Sequence, residues 1–183
     1  MLVLLAENAI AQSRAEISQF RVERVDGQVV ASANIAFELP TAVEEALLKG
    51  VPLFFVLEAD VSRERWYWYD RQVATARRHT RLAYQPLTRR WRLNVTAGAG
   101  RDGSVGLALN QSFETLEQAL STVKRVSQWQ IADANDLVSD AKYKVEFRFR
   151  LDLTQLPLPF QIGAIGQSEW DLAAAVTVPL SFK

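Results

Sequence analysis

Between Arg63 and Arg92 the chain reads RERWYWYDRQVATARRHTRLAYQPLTRRWR. That stretch holds nine arginines, no lysine and two acids, interleaved with Trp66, Tyr67, Trp68, Tyr69, Tyr84 and Trp91. Guanidinium is a planar, permanently charged fork that makes bidentate and stacked contacts, which a lysine ammonium cannot do. Arginine and tryptophan are also preferred contact residues at binding surfaces. Arg65, Trp66, Trp68, Arg77, Arg81, Arg90 and Arg92 are therefore the candidate ligand- or partner-binding residues, and the chemistry they suggest is docking of an anionic ligand or partner. Strand alternation places Arg77, His79 and Arg81 on one face, with Arg78, Thr80 and Leu82 on the other. The same rule, applied to Trp66, Tyr67, Trp68 and Tyr69, expects one pair to face the core. The competing reading of the block is structural, with its arginines meeting acids on neighbouring strands.

Other chemistries have fewer residues to work with. Glu58, Asp60, Glu64 and Asp70 crowd the same region, and a carboxylate pair can hydrolyse glycosides. Nearby arginines make ion pairing the stronger expectation. There is no cysteine and a single histidine, His79, among 183 residues. Disulfides, thiolate metal sites and cysteine nucleophiles are thus excluded, and a histidine triad or two-histidine metal site has too few residues. We expect no enzyme, no cofactor and no metal. Stacked aromatics with arginine suit single-stranded nucleic acid. The chain is neutral overall with 21 basic and 21 acidic residues and carries no nucleic-acid motif, so no nucleic-acid partner is expected.

The elements that must position the block follow from periodicity. Two runs flank Asp26-Gly27, a strong hairpin signal. Val29, Ala31, Ala33, Ile35, Phe37 and Leu39 alternate with polar residues. Thr41 to Glu44 has a capping-box pattern opening a short helix, with Val43, Ala46 and Leu47 on one face and Gly50 as its stop. Val51 to Leu57 is almost wholly apolar and predicts a central strand covered on both sides. The arginine block continues as strands, with a turn at Gln85–Arg89, a strand at Arg89–Ala97 and a glycine-rich loop at Gly98–Ser104. Val105, Leu107 and Leu109 alternate again. A second helix is predicted near Glu114–Ser127 from Leu116, Ala119, Leu120, Val123 and Val126. Ala132–Asp140 is predicted as an acidic loop. Lys142–Leu153 is the clearest strand, with Val145, Phe147, Phe149, Leu151 and Leu153 inward and Lys144, Glu146, Arg148, Arg150 and Asp152 outward. Leu156–Phe160, with two prolines, breaks it. A last strand is predicted from Trp170 to Phe182. Its strict alternation resembles the closing strand of an outer-membrane barrel, but the two helices and Pro179 favour an edge strand. The predicted fold is α+β, mainly antiparallel, with eight or nine strands in a curved sheet or sandwich and two short amphipathic helices. No run reaches the ~18 apolar residues of a transmembrane helix.

The first residues, MLVLLAENAIA, contain a short apolar run and Ala9-Ile10-Ala11, a small-x-small tripeptide of the kind signal peptidase cuts after. We expect residues 1–11 to be a residual signal-peptide segment, residues 12–183 to form one domain, and the mature protein to be periplasmic or otherwise exported.

Four motifs resemble one family: Ala46-Leu47 with Gly50-Val51-Pro52-Leu53 running on to Arg65-Trp66-Tyr67-Trp68-Tyr69-Asp70; Arg81 to Arg89; Ser112-Phe113 leading to Glu117-Gln118-Ala119-Leu120; and Leu151-Asp152-Leu153-Thr154-Gln155-Leu156-Pro157 with Pro159-Phe160-Gln161. Together, over nearly the whole chain from Glu16, they look like the proteobacterial family known as domain of unknown function 4390. The resemblance implies an exported protein carrying a signal peptide. It also implies a gene neighbouring those of a membrane sensor kinase and its response regulator. It carries over no activity and no catalytic residue. The resulting expectation is a soluble binding or accessory module of the cell envelope acting with a membrane sensor kinase. Its partner would be an envelope protein or an anionic ligand, in an oligomeric state the sequence does not specify. The alternatives are a carrier of an apolar or anionic envelope ligand and, third, a carboxylate-pair hydrolase.

Overall fold

The computed structural model describes residues 15–99, 105–138, 140–164, 166–167 and 170–180. The Ala9-Ile10-Ala11 segment, most of the loop after Gly98, and Phe182 lie outside the described residues. Strands β1 (Ala15–Val25) and β2 (Gln28–Phe37) form the first hairpin. Asp26 and Gly27 both take positive φ, 49° and 78°, which is the type I′ geometry that matches strand twist. Helix α1 (Thr41–Leu48) follows. Pro40, with φ fixed at −59°, is its N-cap and no side chain caps it, so Thr41 lies inside the helix and the expected capping box does not form. Val43, Ala46 and Leu47 are buried, and Gly50 at φ 87° ends the turn, as expected.

Next come β3 (Leu53–Arg63), β4 (Arg71–Gln85), β5 (Arg90–Ala99), β6 (Val105–Phe113), helix α2 (Leu116–Lys124), β7 (Arg125–Asp133), β8 (Tyr143–Leu151), helix α3 (Leu158–Ala164) and β9 (Ala173–Leu180). Short 3-10 turns at Ala134–Asp136 and Leu153–Gln155 join some of these. All recorded pairings are antiparallel. They form a three-stranded sheet in the order β1-β2-β7 and a six-stranded sheet in the order β6-β5-β4-β3-β8-β9. The fold class is thus the expected mainly antiparallel α+β sandwich, not a closed barrel. β3 is central, as its apolar run required, with Phe55 and Val56 on opposite faces each 1% exposed. β9 is an edge strand and carries Pro179, opposite Lys144, in the kind of strand that tolerates proline.

The sheets meet through rings. Phe37 on β2 lies 5.6 Å from Phe55 and 5.2 Å from Phe149, and Phe147 takes Phe20 on one side and Trp129 on the other. Tyr143, Val145, Phe147, Phe149 and Leu151 are all buried, as the sequence reads, but the strand ends at Leu151, and Asp152, expected outward, is buried where it caps the following 3-10 turn.

Three expectations need correction. Helix α2 stops at Lys124, and residues 125–133 are strand β7, not helix and loop. Val126 fits the helical spacing by coincidence and instead pairs with Ala33. The strand's own alternation is disguised by Gln128 at φ 44° and two register shifts against β2, so Val126, Trp129 and Ile131 face inward at uneven spacing. Leu158–Ala164 is a third helix, because prolines at 157 and 159 lie at its opening turn, where missing N–H groups are harmless. The arginine block is not continuous strand either. Residues 64–70 form a loop between β3 and β4, and Trp66, Tyr67, Trp68 and Tyr69 are 94%, 66%, 70% and 86% exposed. Neither pair faces the core.

Candidate functional site

The block splits into two surfaces at different places on the six-stranded sheet. The first is the tip of the β3–β4 hairpin. Arg63 pairs with Arg71 across the hairpin and with Tyr143 on β8, so the sheet continues to the base of the loop. Several contacts then clasp that base. Glu64 N–H donates to Lys142 O at 2.9 Å, Arg65 N–H donates to Asp70 Oδ1 at 3.4 Å, and Lys144 pairs with Asp70. The hydrogen bond from Lys144, with help from Arg65 N–H, holds the Asp70 carboxyl below its ordinary 3.8, and Asp70 in turn raises Lys144 above its ordinary 10.5. Beyond the clasp project four aromatic residues with no charge among them. Trp66 and Tyr67 meet edge to face at 5.1 Å, and neither Trp68 nor Tyr69 stacks on another ring among the described residues.

The second surface is the sheet face turned away from β1, β2 and β7. Register puts Arg77, His79 and Arg81 of β4 there, beside Arg90 and Arg92 of β5, Glu58 and Asp60 of β3, and Glu146, Arg148 and Arg150 of β8. On this face the acids are already engaged. Glu58 takes Arg77 at 3.2 Å and Arg148 at 3.3 Å. Asp60 takes Arg148 and accepts from Thr75 Oγ1 at 2.8 Å and Gln72 Nε2 at 2.7 Å. Arg90 reaches Glu114 at 3.3 Å. Arg81 stands over the Phe54 ring at 6.0 Å, and it and Arg92 have no ion pair among the described residues. Arg81 and Arg92 are diagonal neighbours, since Arg92 opposes Ala83 and Arg81 opposes Asn94.

The predicted site residues are therefore not one patch. Arg65, Trp66 and Trp68 sit at the hairpin tip, with Arg65 half-buried at its clasp. Arg77 and Arg81 share the outward face, as the alternation argument required, and the β4–β5 register adds Arg90 and Arg92 to it, but Arg77 and Arg90 are partners in ion pairs. Along β4 the separation from Arg71 to Arg81 is roughly 30 Å at ~3.3 Å per residue. Sequence reasoning left out Tyr67 and Tyr69, by assigning one aromatic pair to the core, and the Lys144–Asp70 clasp. The available signal was that an aromatic run with no polar alternation has no solvent face to offer as a strand. The inward Arg78 lies between Leu57 and Ala97. Burial lowers its pKa, and its Nε finds no hydrogen-bond partner among the described residues.

Three of the four crowded carboxylates are already engaged within the sheet and at its loop. Glu58, Asp60 and Asp70 are bonded as above. Among the described residues no three His, Cys, Asp or Glu side chains group as a metal site would require. No helix there is long and apolar enough to cross a membrane. A wide-mouthed cleft of about 870 Å³ opens beside Phe37 and Leu39, lined also by Glu16, Glu38 and Lys124. Its charged rim and the Lys124 ammonium 5.0 Å over the Phe37 ring make it a poor fit for an apolar ligand.

Compared with known proteins, the chain matches the family described as Domain of unknown function (DUF4390) over residues 12–178. It belongs to that family. No curated protein and no solved structure matches it.

Proposed function

We propose that the protein is an exported accessory module of the cell envelope that works by docking, and that the aromatic tip of the β3–β4 hairpin is its main contact. The observation that carries this reading is the exposure of Trp66, Tyr67, Trp68 and Tyr69, four large rings on one clasped turn. Exposed contiguous apolar surface marks an interaction site. Tyrosine and tryptophan offer large contact area at low conformational cost. The anchored base favours recognition further, because a turn held in place loses less freedom on binding. The outward arginines Arg81 and Arg92 are a secondary contact for an anionic group. Action alongside a membrane sensor kinase remains part of this proposal and rests on the family resemblance.

The test is a pair of variants in cells that depend on the protein. Trp66→Ser with Trp68→Ser should abolish function while leaving export, abundance and melting temperature unchanged. Full function in that variant would remove the tip from the reading. The protein expressed in its own cells should be a periplasmic product beginning near Gln12; a cytoplasmic product would remove the export part.

A further inference from the structure

We infer that the surface bound by the β3–β4 tip is an anionic lipid bilayer, entered at the headgroup layer by the four rings. This rests on the docking reading above and names its occupant. Three features point to lipid. The first is ring chemistry: Trp and Tyr each have an apolar body and a polar edge, the combination that settles at a membrane–water interface. The second is depth. A four-residue turn projects roughly 7 Å past its clasp at ~3.3 Å per residue. That lies within the ~5–10 Å to which interfacial segments bury their apolar side.

The third is the charge behind the tip. Arg63, Arg65, Arg71, Lys142 and Lys144 ring the base. They face Glu64, Asp70, Glu146 and, two residues before Lys142 in the chain, Asp140; Asp70 is already matched by Lys144 and Glu146 by Arg148. The balance is positive where lipid phosphates would lie, and long basic side chains can reach them while their stems follow the rings. A protein partner fits less well. A standard interface covers about 800 Å² per side. Behind these rings the surface gives way at once to exposed Glu64, Arg71, Gln72 and Lys142 instead of continuing apolar.

The sheet would then stand with β3 and β4 running up from the membrane. Arg81 and Arg92, on the stretch of sheet farthest from the tip, would remain free for a second partner.

The experiment uses the fluorescence of the full chain with vesicles. Trp91, Trp129 and Trp170 are 6%, 7% and 5% exposed and act as internal controls beside Trp66 at 94% and Trp68 at 70%. With phosphatidylethanolamine–phosphatidylglycerol vesicles carrying brominated acyl chains, emission should shift to the blue and quench. Pure phosphatidylcholine vesicles should bind more weakly, and added salt should weaken but not abolish binding. Because Trp66→Ser with Trp68→Ser also removes the reporting indoles, its partitioning is read by vesicle co-sedimentation, and it should fall by about tenfold or more, since each indole buries on the order of 100 Å² or more. Leu87→Ser, an exposed apolar residue in the turn between β4 and β5 at the other end of the sheet, should leave it unchanged. No quenching by vesicles, while the tip variant loses cross-linking to an envelope protein, would overturn the lipid assignment and keep the docking reading. Neither vesicle binding nor cross-linking would overturn both. Co-sedimentation unaffected by the tip variant would also overturn the inference.

Discussion

The buried ring cluster between the sheets and the exposed ring cluster at the hairpin tip use the same kinds of residue and end in opposite surroundings. Phe147 and Phe149 on β8 are 0% and 1% exposed, and Trp66 is 94% exposed. The difference lies in what stands between the rings. On β8 every second residue is charged, so the strand has a face for water and a face for the core, and the charged face is occupied by Arg148 binding Glu58, Asp60 and Glu146. In Trp66–Tyr69 each ring neighbours another ring. No choice of face would bury one half and hydrate the other, so the run leaves the sheet and turns, held at its ends by the Glu64–Lys142 backbone bond and by Asp70 with Arg65 N–H and Lys144. Aromatic content alone therefore predicts neither core nor surface; the polarity of the intervening positions decides.

Substitutions can break or sharpen this contrast. The largest effect is expected for Phe147→Ala, which opens a void between Phe20 and Trp129 and should cost about 3–5 kcal/mol in denaturant unfolding. A cost below about 1 kcal/mol would mean that β8 is not the core strand described.

Asp152→Ala comes next, at about 1 kcal/mol, the usual price of losing a helical cap. Burial pushes the Asp152 carboxyl up, but bonds from Gln155, Thr154 and Arg150 together outweigh it and leave it lowered. A lowered carboxyl contributes its stability fully above the ordinary 3.8 and loses it as the pH falls through the lower folded value. The gap between wild type and variant, measured by urea unfolding, should therefore shrink as the pH drops below 3.8. A gap that widens there would contradict the assignment.

Arg148→Ala should follow at about 1 kcal/mol or slightly less, since the guanidinium is 40% exposed and water screens its pairs. Arg77→Glu should also destabilise, because it sets a second carboxylate against Glu58, so Arg77 is a poor probe of binding. Arg81 and Arg92 are the better probes. The smallest stability change, within about 0.5 kcal/mol, is expected for Trp66→Ser and Trp68→Ser. Equal losses at Trp66 and Phe147 would erase the contrast.

Much of the fold was legible in the sequence. The Asp26-Gly27 turn, the alternation of β2 and β8, the apolar run of β3 and the edge proline of β9 each rest on local rules that the packing reinforces. β7 was hidden because its inward residues lose strict period two at the Gln128 bulge, and because Val126 also fits helical spacing. α3 was hidden because two prolines look like a break until one asks whether they sit in a first turn. At the candidate site, the face shared by Arg77 and Arg81 was legible from alternation, while the addition of Arg90 and Arg92 follows from the register of β4 against β5. Their pairing was not legible, since it depends on which strands become neighbours: Glu58 meets both Arg77 and Arg148 only because β3 lies between β4 and β8. The exposed tip was misread for a similar reason, as alternation was applied past the point where the ladder ends at Arg63 and Arg71.

The central claim is that the tip is bare in the free protein and covered when the protein docks. Hydroxyl-radical footprinting of the purified chain, with and without vesicles prepared from its own envelope, tests that directly. Trp66 and Trp68 should oxidise rapidly in the free protein and be protected when envelope is added, while Trp91 and Trp129 react slowly in both. Trp66 and Trp68 reacting equally fast with and without envelope would contradict the claim, and slow reaction in the free protein would contradict the structure on which it stands.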